Sequence, residues 1–293
     1  MFDGIVPAIV TPMHDNGDLD AQGMRTQVAR HLDHGAGGIF CGGTNGEFYA
    51  LTKGELIQTA RVCVDEGRGK PIMAGSAFGP VAETAELARA YKDVGVAAIS
   101  VLVPYFVDCG QIAMGDYFEG VADASVLPIV IYNIPGKTRN DLEPETVRRL
   151  ARHDNIVAIK DSSGSRDKLK ALAGIEGLQV MTGSDGLILD GLALGLSGFV
   201  TGFSNVAPEY VYGIVSAYRA DRMDDAAHCQ HLVEILRDMM KFGNPPTVTK
   251  RAAALRGEAV GPSRVPCRVA PGEIDEELIA IMERAGISLQ ASA

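Results

Sequence analysis

Short apolar runs alternate with amphipathic runs from one end of the chain to the other. The apolar runs are rich in Val and Ile and read as strands buried on both faces. They fall at Ile5–Met13, Gly37–Gly43, Pro71–Ala77, Ala97–Val103, Pro128–Ile134, a stretch beginning at Ile156, Leu178–Thr182 and Gly198–Thr201. Between them apolar positions recur at helical spacing, as Met24, Val28 and Leu32 do in the first helix, Asp20–His34. The same spacing predicts helices over Thr52–Glu66, Val81–Val94, Ile112–Ala124, Arg166–Ala173 and Leu187–Leu194, with two more starting near Pro144 and Pro208. Thr52 followed by Glu55 is a capping box that fixes the start of the second helix. Gly95 ends the third helix, and Pro144 suits a first helical position.

Eight strand–helix units in strict alternation predict an α/β fold, a closed (β/α)8 barrel, rather than an open doubly wound sheet. No GxGxxG turn follows the first strand, and no phosphate loop of the form GxxxxGKS/T occurs. Helical patterns continue at Met223–Lys241, Thr247–Arg256 and Glu273–Ala285. Residues 1–220 are therefore expected to form a barrel carrying the active site, and residues 221–293 a helical extension packed on it.

Composition narrows the partners. Lys and Arg number 27 and Asp and Glu 37, a net charge of −10, which argues against nucleic acid or an anionic membrane surface as partner. A local site can still be positive and take an anionic small molecule. No apolar run is long enough to span a membrane, and Met1-Phe2-Asp3-Gly4 does not begin a secretory leader. The five cysteines, Cys41, Cys63, Cys109, Cys229 and Cys267, are odd in number and irregularly spaced, so free thiols and a cytoplasmic location are expected.

Catalytic chemistry in such a barrel sits where the strands end. The sixth strand, Ile156-Val157-Ala158-Ile159, runs directly into Lys160 and then Asp161-Ser162-Ser163-Gly164. Burial of an ammonium disfavours its charged form, and a free amine is what a Schiff-base lysine needs. The same pattern also fits a lysine that ends its strand in solvent. After the second strand, Gly42-Gly43-Thr44-Asn45-Gly46-Glu47 lets backbone approach a ligand closely and can present N–H groups to a carboxylate or phosphate. The fifth strand delivers Tyr132, a phenol one strand from Lys160 that can shuttle a proton, with Lys137 and Arg139 nearby to meet a substrate carboxylate. Gly183-Ser184-Asp185 and Gly202-Phe203-Ser204-Asn205 end the last two strands, where Asp185 or Ser204 could hold a substrate hydroxyl. Ser162, in the turn after Lys160, joins the candidate substrate-binding residues. A metal site is not expected. His228, Cys229 and His231 do not share a helical face, and His31 and His34 have no acidic pair beside them. No GxSxG elbow points to a serine hydrolase.

Several of these motifs coincide in one order. Ile9-Val10-Thr11-Pro12-Met13, Gly43-Thr44-Asn45-Gly46-Glu47, Tyr132-Asn133-Ile134-Pro135, Ile159-Lys160-Asp161-Ser162-Ser163-Gly164 and Asn244-Pro245-Pro246 together resemble the dihydrodipicolinate synthase / N-acetylneuraminate lyase family over essentially the whole chain. The resemblance implies a (β/α)8 barrel, usually a homotetramer, that forms a Schiff base with pyruvate or another 2-oxo acid and needs no cofactor. It places Lys160 at the Schiff-base position and Tyr132 at that of the proton-shuttling tyrosine. Thr44 and Asn45 fall where the 2-oxo acid carboxylate binds, with Thr44 also in the proton relay.

Departures bear on the substrate. Dihydrodipicolinate synthases typically carry two adjacent tyrosines after the fourth strand, the second given to a neighbouring subunit's site; here the pair is Tyr105-Phe106. Their second loop threonine is Asn45 here, and their carboxylate-binding arginine is Lys137, which lacks the bidentate fork. Neuraminate lyases would have an acidic residue after Asp185, where this chain has Gly186. Asn45 and the Lys-Asp-Ser run look closer to 4-hydroxy-2-oxoglutarate aldolases and sugar-acid members. The expectation is a class I lyase acting on pyruvate or a 4-hydroxy-2-oxo acid. The alternatives are a dihydrodipicolinate synthase that condenses pyruvate with aspartate semialdehyde, and a barrel that binds a 2-oxo acid without catalysis. A phosphate- or flavin-binding barrel using Gly183 and Gly202 is a further, minor reading.

Overall fold

The computed structural model describes residues 1–77 and 79–289. Eight strands and their helices follow in order: β1 (Gly4–Pro7), α1 (Ala21–Asp33), β2 (Ile39–Cys41), α2 (Lys53–Glu66), β3 (Ile72–Ser76), α3 (Val81–Val94), β4 (Ala98–Leu102), α4 (Gln111–Ala124), β5 (Ile129–Asn133), α5 (Pro135–Thr138), α6 (Pro144–Leu150), β6 (Ile156–Asp161), α7 (Arg166–Ala173), β7 (Gln179–Thr182), α8 (Ile188–Ala193), β8 (Gly198–Thr201) and α9 (Pro208–Arg219). Then come α10 (Met223–Leu236), a 3-10 segment over Arg237–Phe242, α11 (Pro245–Leu255) and α12 (Asp275–Arg284). The strands pair in parallel in the order β1-β8-β7-β6-β5-β4-β3-β2, and a parallel bridge between Ala8 and Phe40 brings the two ends together. This is the (β/α)8 barrel, with helices following it. The final residues of the extension read as 221–293, from Gln290 onward, lie outside the described residues.

Strand alternation sorts the side chains. Val6, Phe40, Met73, Ala98, Leu102, Val130, Tyr132, Ala158, Met181 and Val200 pack inside the barrel. Their strand neighbours, such as Ile39, Ile99, Ile131, Ile159 and Val180, pack outward with the helices in the larger core. Both faces are therefore apolar, which is why the strands read as continuous hydrophobic runs.

Local signals explain the helix ends. The Thr52 hydroxyl accepts from the Glu55 N–H while the Glu55 carboxylate accepts from the Thr52 N–H, so α2 has its capping box. α3 stops at Gly95, whose φ of 95° closes the last turn without a Cβ penalty. Pro144 opens α6. The first strand is shorter than the apolar run Ile5–Met13 predicts. Past Ile9, whose N–H still donates to the Phe40 carbonyl, the chain leaves the ladder; the Val10 N–H donates to Asn205 Oδ1 and the Thr11 hydroxyl to the Gly46 carbonyl. α5 has no counterpart among the predicted helices, because four residues leave no period to detect. The helix predicted over Met223–Lys241 turns into a 3-10 segment after Leu236, and α11 starts at Pro245, earlier than predicted, with Pro245 and Pro246 in its first turn.

His31 on α1 is fully buried, with Tyr212 Oη 3.3 Å from its Nδ1. Burial, reinforced by the Arg30 charge, lowers its pKa to about 3. An unfolded histidine takes up its proton near pH 6.5, whereas the folded one stays neutral down to about pH 3, so the unfolded state binds more protons in between. Stability is expected to fall as pH drops from 6.5 toward 3, with a His31 contribution of at most about 1.4 kcal/mol per pH unit. Urea titrations at stepped pH check this, and His31→Gln is expected to flatten the slope.

Candidate active site

β6 continues through Lys160 and Asp161 rather than ending before them, and its parity decides where they point. Ala158 and Lys160 face the barrel interior, while Ile159 and Asp161 face outward. Lys160 is only 5% exposed, so the reading of a lysine ending its strand in solvent is wrong. Tyr132 is its direct register partner on β5. The Lys160 Nζ lies 3.7 Å from the centre of the Tyr132 ring and 4.9 Å from that of Phe40. Tyr132 Oη in turn lies 3.1 Å from Thr44 Oγ1, in the glycine loop after β2. An amine, a phenol and a hydroxyl thus form a chain along the floor of the mouth.

A cavity of about 220 Å³ opens above them, and Thr44, Asn45, Tyr132, Lys160, Ser162 and Asp185 all line it. Polar atoms in it await a ligand. Asn45 Oδ1, Ser162 Oγ and Thr201 Oγ1 are buried without a hydrogen-bond partner among the described residues. Neither the Thr44 nor the Asn45 N–H is taken by another described residue. Free donors on two sides of an amine suit a small anion such as a carboxylate. Gly183 makes room for the amine. A Cβ there would sit 2.6 Å from Lys160 Cε and 2.1 Å from Ser162 Oγ.

The other candidates separate. Lys137 is exposed and lines an adjoining cavity of about 220 Å³ with Thr44, Tyr49, Tyr105 and Pro246. Arg139 is exposed, with a left-handed φ of 67°, and lines neither cavity. Asp185 is at the rim, but its carboxylate accepts from the Phe203 N–H at 3.2 Å and the Gly202 N–H at 3.4 Å, bracing β7 against the turn after β8. Burial raises its pKa, opposed by those two backbone donors and by the Arg237 and Lys160 charges. Ser204 is fully buried, donates to the Thr201 carbonyl and lies outside the lining. Thr201, Arg237, Met240 and Thr249 line the cavity without having been singled out in the sequence. Of these, Thr201 was detectable as a polar residue ending an apolar strand.

A second missed group holds the loop. Glu47 adopts the left-handed conformation, φ 56°, which is strained for a residue with a Cβ. Its carboxylate is fully buried, 2.6 Å from the Lys250 ammonium of α11, and also accepts from the Arg264 N–H at 2.9 Å. Lys250 also donates to the Pro262 carbonyl at 2.9 Å. Burial pulls the Lys250 pKa down and the Glu47 charge opposes it. The helices after the barrel thus grip the segment that carries Thr44 and Asn45. On the outer side, Asn133 Nδ2 donates to Asp161 and Asp141, tying β5, β6 and the segment before α6 below the site.

The sequence matches the model of the "Dihydrodipicolinate synthetase family" over residues 1–285. It is 30% identical to the 4-hydroxy-tetrahydrodipicolinate synthase of Methanospirillum hungatei, covering 97% of this chain and 99% of that protein. It is 33% identical to that of Methanothrix thermoacetophila, covering 97% of each. Among solved structures, it superposes with a TM-score of 0.93 on YagE, an E. coli prophage protein of the dihydrodipicolinic acid synthase family in complex with pyruvate, at 28% identity over 98% of this chain and 100% of that one. A pyruvate complex of the dihydrodipicolinate synthase of Acinetobacter baumannii gives a TM-score of 0.92 at 29% identity, with the same coverage.

The buried pair makes a measurable prediction. Lys250→Met leaves the buried Glu47 carboxylate without its ion-pair partner, with only the Arg264 N–H still donating to it, at an expected cost of about 3–5 kcal/mol in urea unfolding. Adding Glu47→Gln removes the uncompensated charge, and the double variant is expected to recover more than half of that loss. Equal losses in the single and double variants would mean the two groups are not coupled.

Proposed function

The chain belongs to the dihydrodipicolinate synthetase family, and from that premise we propose that it makes or breaks a carbon–carbon bond next to pyruvate through an imine on Lys160. It is a lyase of the class I aldolase type. The observation that carries the finer reading is the register pairing of Lys160 with Tyr132, whose hydroxyl is 3.1 Å from Thr44.

In this reading Lys160 Nζ attacks the C2 carbonyl of the 2-oxo acid. The carbonyl oxygen takes one proton from the attacking nitrogen through Tyr132 and a second from solvent, and leaves as water, giving a protonated imine. The imine accepts the electron pair when the C3–C4 bond of a 4-hydroxy-2-oxo acid breaks, while the C4 hydroxyl proton passes to the Tyr132–Thr44 relay. Protonation of the enamine at C3 and hydrolysis then release pyruvate and an aldehyde; condensation is the reverse. The free Thr44 and Asn45 N–H groups and the Ser162 and Thr201 hydroxyls are suited to the C1 carboxylate.

The assembly we propose is a homotetramer, with a cytoplasmic location. Phe106 supports it: it is 96% exposed and held in a left-handed backbone with φ 76°, as a side chain presented to a neighbouring subunit would be. A phenylalanine there brings no hydroxyl, so the relay in this chain rests on Tyr132 and Thr44. Synthesis from pyruvate and aspartate semialdehyde is the second reading, favoured by the activity for which the relatives are named.

Pyruvate followed by borohydride is expected to leave a reduced adduct on Lys160, read by mass spectrometry. Absence of the adduct, or its persistence in Lys160→Ala, overturns the imine. Tyr132→Phe is expected to lower kcat by about 10²–10⁴-fold, the range for loss of a general acid–base group.

A further inference from the structure

Arg237 is the first residue of the 3-10 segment that follows α10, and it lines the cavity beside the turn after β7. Gln230 fixes its helix to that rim. The Gln230 amide donates to the Asp185 carbonyl at 3.0 Å and accepts from the Leu189 N–H at 3.1 Å. Across the rim, the guanidinium lies over Gly186. A Cβ on Gly186 would be 2.0 Å from Arg237 Nη1 and 3.0 Å from Cζ. The bare glycine where neuraminate lyases carry an acid is therefore what lets an arginine occupy this place.

The charge on Arg237 is felt by Asp185 across the rim but is not tied to it by an ion pair or hydrogen bond. Its guanidinium makes no hydrogen bond and no ion pair among the described residues. Asp185 is the only carboxylate in the cavity lining, and two backbone N–H groups already hold it. The lining thus has a cation at its floor, Lys160, and a second at its rim, in a chain whose net charge is −10. Imine formation at the floor uses the 2-oxo end of the substrate, and the loop donors use its C1 carboxylate. That leaves the rim cation for the other end.

We propose that Arg237 binds an anionic group at the end of the substrate remote from its 2-oxo acid, so that the acceptor aldehyde, or the cleaved 4-hydroxy-2-oxo acid, carries a terminal carboxylate or phosphate. The proposal rests on the aldolase reading above. A guanidinium meets either group with two parallel hydrogen bonds. A sugar-like tail of hydroxyls would leave its charge unused. Gly186 is the permissive position: any side chain there displaces the guanidinium, which is flexible enough to swing away.

Three 4-hydroxy-2-oxo acids test this, with pyruvate release measured for each. 4-Hydroxy-2-oxoglutarate ends in a carboxylate, 2-oxo-3-deoxy-6-phosphogluconate in a phosphate ester, and 4-hydroxy-2-oxopentanoate in a methyl group. The wild-type protein is expected to prefer one of the anionic substrates over the methyl-ended one in kcat/KM, and which one is preferred identifies the group. Arg237→Gln is expected to reduce that preference ratio about 10²-fold, mainly through KM, the scale for hydrogen bonds to a charged group. Arg237→Lys is expected to restore part of it, and Gly186→Ala to lower it with Arg237 intact. A merely structural role would lower all substrates together and leave the ratio unmoved, which overturns the proposal, as does a wild-type protein without the preference. If borohydride traps pyruvate on the wild-type protein but the preference is absent, only this inference fails. If pyruvate is not trapped, the aldolase reading itself fails.

Discussion

The packing of one ammonium inside a parallel barrel constrains everything around it. Lys160 occupies an inward position where every neighbouring strand supplies an apolar or aromatic side chain. An isolated charge is costly there, and the surroundings meet that cost with aromatic faces rather than with a carboxylate. Tyr132 and Phe40 present their rings to Nζ, and the two rings meet edge to face with centres 6.2 Å apart. Gly183 supplies the volume through which the lysine stem passes. A carboxylate at bonding distance would hold the amine as a fixed cation. Among the described residues no carboxylate forms an ion pair with Lys160 Nζ, and its close neighbours are the two rings.

The mouth of the barrel is held by a different device. The loop with Thr44 and Asn45 rests on a strained Glu47, which persists because the surroundings over-determine it. Lys250, Arg264 and Thr11 each hold part of that segment, from three places far apart in the chain. Arg264 also donates to Glu55 on α2, whose carboxyl it holds down to a pKa of about 2. The helices beyond the barrel are thereby joined to the active-site loop by charge. The buried pair ties that loop to α11, at the energetic risk that any isolated partner carries.

The legible parts of the sequence were those governed by local rules. α3 and α7 match their predicted bounds, and the capping box of α2 forms from the residues that signalled it. The inward placement of Lys160 beside Tyr132 followed once β5 and β6 were recognised as neighbours, since parity and register leave little freedom. What stayed hidden was long-range. Lys250 looks like an ordinary helical lysine until α11 is folded against the glycine loop, and Glu47 looks like the surface end of a turn. Arg237 belongs to a helix with no motif, and only its position over Gly186 gives it a meaning. Arg139 failed in the opposite sense: it is close to Tyr132 in sequence, but the short α5 turns it out to the exposed side.

These two kinds of residue divide the site. The floor and the loop are set by strand parity, a buried amine and a clamped turn, which in the proposed reaction meet the 2-oxo acid end of the substrate. The rim is set by the 3-10 segment after α10 and by the turns after β7 and β8, which meet the floor and loop at Asp185, at Gly183 against Lys160 and at Gly202 against Asn45. A change at the floor alters the bond that is made, whereas a change at the rim alters which molecule is positioned for it. Asn45 belongs to the first region and Arg237 to the second, with Gly186 between them: its lack of a side chain leaves the place that the Arg237 guanidinium fills. In the proposed reaction, substrate choice therefore lies chiefly with the segment that follows the barrel, and the reacting residues with the barrel itself.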